Sequence, residues 1–64
     1  MKTGEWFTED SDSMYADEHF GHHITVREMM PSGWTEYIAD FGPIINPKSR
    51  KRAEEVCRQH NENL

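Results

Sequence analysis

This chain lacks a second cysteine. Cys57 is alone in 64 residues, so no disulfide can close within it, whereas small secreted domains commonly rely on paired cysteines to offset thin cores. It also lacks any apolar run approaching the ~20 residues that a membrane helix needs. The opening Met-Lys-Thr-Gly-Glu-Trp-Phe reaches a carboxylate at Glu5 and never develops the apolar stretch of a signal peptide. Together these absences predict a cytoplasmic protein that makes no membrane contact. Apolar residues are scarce as well, at 34% against 30% charged. The core must therefore be built from few side chains, and a stability of only ~3–5 kcal/mol is expected for such a scaffold.

The length is far below the usual domain mode of ~100–150 residues, and no shift in composition separates two cores. The reading is one domain over residues 1–64. Its parts are an acidic, partly mobile segment over 1–21, a β-hairpin over 22–41 and a helix over 46–61. The fold class expected is α+β: a small antiparallel sheet of two or three strands with the C-terminal helix packed on it.

Charge is unevenly distributed within the net value of -5. Residues 1–21 hold six acids against Lys2, whereas residues 47–64 hold Lys48, Arg50, Lys51, Arg52 and Arg58 against three glutamates. The front is acidic and the tail mildly basic.

Along the chain, Trp6 and Phe7 suggest a short extended piece, able to serve as a third strand or a strap. A loop follows over 8–21, within which Ser13 to His19 could form one helical turn. From His22 two β-rich runs flank Pro31-Ser32-Gly33, which is a hairpin signal. Placing Met30 opposite Thr35 puts Val26 across from Ala39, Ile24 across from Phe41 and Glu28 across from Tyr37. One face then reads Ile24, Val26, Met30, Tyr37, Ala39 and Phe41, while Thr25, Arg27, Glu36 and Ile38 take the less buried side. A one-residue slip would set Glu28 against Glu36, which cross-strand energetics disfavour. Asn46-Pro47 supplies an N-cap and a first-turn proline, and Ala53, Val56, Cys57 and His60 form a narrow apolar stripe at helical spacing.

This arrangement, carried by Ile24, Val26, Gly33, Trp34, Ile44, Ile45, Asn46, Pro47, Ala53, Glu54 and Glu55, resembles a group of small early-operon proteins of lambda-like phages. The likeness spans roughly the C-terminal two thirds. It implies a phage-encoded accessory protein working in the bacterial host cell, and it brings no catalytic residues.

Chemistry-bearing clusters are thin. His19, His22, His23, Cys57 and His60 are metal-ligand types, yet they include no Cys-x-x-Cys and no His-x-x-x-His pair on a helix, and no metal or other cofactor is expected. Cys57 and His60 lack an oxyanion-stabilising loop, so no enzyme activity is expected. The reading is a protein-interaction module that binds and modulates a host protein, with Trp6, Asp10, Asp12, Tyr15, Asp17, Glu18 and Trp34 as contacts. The alternatives are a nucleic-acid-binding accessory using Lys48, Arg50, Lys51, Arg52 and Arg58, against which the net charge argues, and a metal-stabilised mini-domain. An exposed Trp34–Ile38 surface could instead be a homodimer seam.

Overall fold

The computed structural model of the chain describes residues 2–11 and 22–64. Three strands, β1 (Trp6–Ser11), β2 (His23–Met29) and β3 (Thr35–Pro43), form an antiparallel sheet in the order β1-β2-β3, and one helix, α1 (Pro47–Glu62), packs against it. The Trp6-Phe7 piece is thus a full third strand. The helical turn expected at Ser13 to His19 lies outside the described residues.

The β2–β3 turn closes where proline and glycine require it. Met30 N donates to Trp34 O (2.9 Å), Gly33 N donates to Met30 O (3.0 Å), and Gly33 sits at φ +89. Beyond the turn the register is mixed. Val26 lies opposite Ala39 and Thr25 opposite Asp40, as the sequence predicts, but Arg27 lies opposite Tyr37 and Glu28 opposite Glu36. Irregularities between Val26 and Arg27, and between His23 and Thr25, give β3 extra residues relative to β2. These behave as bulges, which bend a strand and re-aim its side chains.

The bulges correct the expected faces. Ile38, assigned to the outer face, packs against the core, while Tyr37, assigned to the core, is exposed. The acid-against-acid pair that argued against the slipped register is relieved from the side, because the Trp6 indole donates to Glu28 Oε1 at 2.8 Å. Thr25 is also buried in the central strand, where its hydroxyl donates to the Glu9 carbonyl at 3.1 Å.

Helix α1 starts where Asn46 caps it, the Asn46 carboxamide accepting from Lys48 N at 2.9 Å ahead of Pro47. Ser49, Ala53 and Cys57 are its buried residues, a line of small side chains spaced i, i+4, i+8. Their size lets the helix approach the sheet closely, where Ile24, Val26, Ala53 and Cys57 make the core and Trp6, Ile38, Phe41 and Ile44 pack around it. Val56, expected to face the sheet, is only half-buried. At the far end, Asn61 Oδ1 accepts from Trp6 N (2.8 Å) and Asn61 Nδ2 donates to Trp6 O (3.0 Å). The His60 ring stacks on Trp6 with centroids 3.8 Å apart and donates from Nε2 to Gly4 O at 2.8 Å.

Two glycines test this account. Gly42 has φ +107, and a Cβ there would stand 3.0 Å from Ser49 Oγ, whereas Gly33 has open space around it. Gly33→Ala should lose ~1–2 kcal/mol from backbone strain alone. Gly42→Ala should lose a further ~1–3 kcal/mol by pushing the helix off the sheet. Urea titrations that ranked the two equally would show that the helix does not seat against Gly42.

Candidate functional site

The residues expected to bind a partner separate in space. Trp6 is half-buried with its indole nitrogen, backbone N and backbone O all bonded inside the fold, so it is chiefly a packing residue. Asp10 is exposed on the edge strand. Asp12, Tyr15, Asp17 and Glu18 lie outside the described residues, as does His19. Trp34 is 77% exposed at the hairpin tip. Its backbone is fixed by the turn, its carbonyl accepting from Met30 N and its amide donating to Ser32 Oγ at 3.4 Å. Ile38 does not join it at a surface seam, having turned into the core.

The basic residues divide into two groups. Arg58 is neutralised by Glu55 and Glu62 one turn away on either side, which raises its pKa further and lowers that of Glu55. Lys48, Arg50, Lys51 and Arg52 are exposed and form no ion pair among the described residues. Three of them, Lys48, Lys51 and Arg52, edge an open groove of about 450 Å³ whose other lining residues are Phe41, Glu55 and Val56. The groove runs between the end of β3 and the first half of α1. Glu55, its one acid, is already held by Arg58 and Gln59.

These cations do not help the helix. The first turn of α1 contains no acid, although negative charge is what stabilises a helix start, by ~0.3–1 kcal/mol per group. Lys48 repels Lys51 and Arg52 at i,i+3 and i,i+4, each at about 0.2–0.5 kcal/mol. Four cations on one helical half thus have no ion-pair partner among the described residues, and there they oppose local stability. Departures of this kind, with no local gain, mark functional positions.

The metal-ligand residue types are dispersed. Cys57 is buried against the sheet, His60 is stacked on Trp6, and His22 is exposed, 3.8 Å from Asp10. Among the described residues no three of His, Cys, Asp and Glu converge on a metal position. One pair was missed by sequence reasoning. His23 Nδ1 donates to both carboxylate oxygens of Asp40 (2.9 and 3.0 Å), and Asp40 Oδ1 also accepts from Gly42 N at 2.7 Å. The pair spans the second bulge, where His23 lies opposite Pro43 and Thr25 opposite Asp40. His23 Nε2 is buried without a hydrogen-bond partner.

No protein-family model, curated protein or solved structure matches the chain. Among the described residues no helix is long and apolar enough to cross a membrane.

Burial raises the Cys57 pKa above its ordinary 9.0, and Glu54 adds to the effect. Since only the thiolate reacts, Cys57 in the folded protein should label with iodoacetamide at pH 8 at least tenfold more slowly than in urea. Equal rates would place the thiol at the surface and undo the helix orientation described above.

Proposed function

We propose that this protein is a non-enzymatic interaction module that binds a protein partner through its hairpin tip. The observation that carries this reading is Trp34, 77% exposed on a turn whose backbone bonds already fix its position. Tryptophan is the residue type most enriched among interface hot spots. A backbone held in place before contact has little freedom left to lose when the side chain is buried, which favours affinity. The surrounding Pro31, Ser32, Gly33 and Glu36 are exposed and polar or small, a suitable rim for one aromatic anchor. The resemblance to early proteins of lambda-like phages supports a partner in the cytoplasm of the infected bacterium, and binding there would modulate that host protein. The Cys57–His60 and His23–Asp40 arrangements are accounted for by packing, since Cys57 is buried against the sheet, His60 stacks on Trp6, and His23 with Asp40 ties together the paired ends of β2 and β3.

The test is capture from bacterial lysate on immobilised protein, comparing the native chain with Trp34→Ser. A surface change of this kind should alter stability by less than ~0.5 kcal/mol, which a melt would verify. At least one protein should be retained by the native chain and lost by the variant. Identical retained sets would reject the tip as the binding surface.

A further inference from the structure

A second surface, at the opposite end of β3 from Trp34, has chemistry of its own. We propose that the groove between Phe41 and the first half of α1 docks an acidic protein segment carrying an aromatic or branched aliphatic anchor. Its apolar part, Phe41 and Val56, would take the anchor, while Lys48, Lys51 and Arg52 would bind flanking carboxylates.

Charge complementarity selects this occupant. The three cations are exposed and make no ion pair among the described residues, and Glu55 is occupied by Arg58 and Gln59. Any ligand seated there therefore meets net positive charge at the edge and apolar surface below. A nucleic-acid duplex would use the edge and leave the apolar floor unmatched, while a single strand could match the floor only by stacking a base on Phe41. Either would also approach a molecule of net charge -5 as a long polyanion, and phosphate neutralisation dominates that affinity. A short acidic segment carries far fewer charges and uses both parts of the site. The volume of about 450 Å³ falls within the ~300–1,000 Å³ typical of binding clefts, ample for an anchoring side chain.

The test uses the full chain and a fluorescein-labelled synthetic peptide in which adjacent leucine and phenylalanine are flanked by aspartates and glutamates. Three comparisons accompany it: the peptide with serine at both apolar positions, a mixed-sequence single-stranded DNA, and the protein variant Lys48→Gln/Lys51→Gln/Arg52→Gln, whose exposed positions keep the fold intact. The peptide should bind saturably at about 150 mM salt, where weak surface attraction is screened. Affinity should fall about tenfold or more with the triple variant and also with the serine peptide, and amide shifts on titration should centre on Phe41, Lys51 and Val56. Absence of saturable binding, indifference to the triple variant or equal binding of the serine peptide would each overturn the proposal. So would DNA binding more tightly than the peptide with the same dependence on the three cations. Trp34→Ser should leave peptide binding unchanged. Loss of lysate capture in Trp34→Ser with no peptide binding would remove only the groove assignment, and the reverse pattern would remove only the tip reading.

Discussion

Asn61 holds the two ends of this fold together by imitating a strand. Its carboxamide offers Trp6 one acceptor and one donor, satisfying the backbone N and O of the first residue of edge strand β1. The neighbouring His60 covers the Trp6 ring and ties down Gly4. The rest of the architecture leans on this clasp, because among the described residues only Ile24, Val26, Ala53 and Cys57 are buried apolar residues. A core that small gives little margin over the entropy of ordering the chain. Directional bonds from the last turn of the helix to the first strand fix the helix over the sheet at one end. The seat of Ser49 beside Gly42 fixes it at the other.

Between those two points, the bulges of β3 determine what each face presents. The extra residue near Ile38 turns that side chain inward and leaves Tyr37 outside, opposite Arg27. The second irregularity lets Asp40 serve both His23 and the Gly42 amide, so it organises the strand end against which the helix begins. The groove lies beside this strand end, where Phe41 meets Lys48 and Arg52 of α1.

Much of this was legible in the residues. The hairpin, the capped helix start at Asn46-Pro47 and the inward positions of Ile24, Val26, Ala53 and Cys57 follow from turn chemistry and periodicity. The bulges did not, because alternation assumes an unbroken two-residue period and β3 breaks it where Ile38 and Tyr37 are both plausible core residues. Val56 looked like a core residue on spacing alone. It fell to the margin because the buried line of the helix runs through Ser49, Ala53 and Cys57, with Val56 to one side of it. Trp34 as an exposed tip residue was readable from its place beside Gly33. Trp6 was not, since a lone aromatic in an acidic stretch gives no sign of the histidine and asparagine waiting 54 and 55 positions further along. The basic run was visible, whereas its meeting with Phe41 depends on tertiary packing.

The net charge and the unpaired cations act over different distances. At physiological salt the Debye length is about 8 Å, so an approaching anion senses the acidic molecule as a whole only weakly, and senses the groove only at close range. Long-range steering toward this groove is therefore weak, and the charges of a polyanion that lie beyond the three cations gain little from them. What remains is recognition after contact, in which apolar burial on Phe41 and Val56 must supplement the ion pairs for a ligand to stay. Cations alone on an exposed helix would contribute little, since exposed pairs are worth ~0–1 kcal/mol each. Their value rises when an anchor excludes water beside them, because partial desolvation strengthens each charge–charge contact. The same geometry that leaves Lys48, Lys51 and Arg52 without ion pairs among the described residues, and unfavourable for the helix, thus favours a ligand that is acidic and apolar together over one that is only acidic.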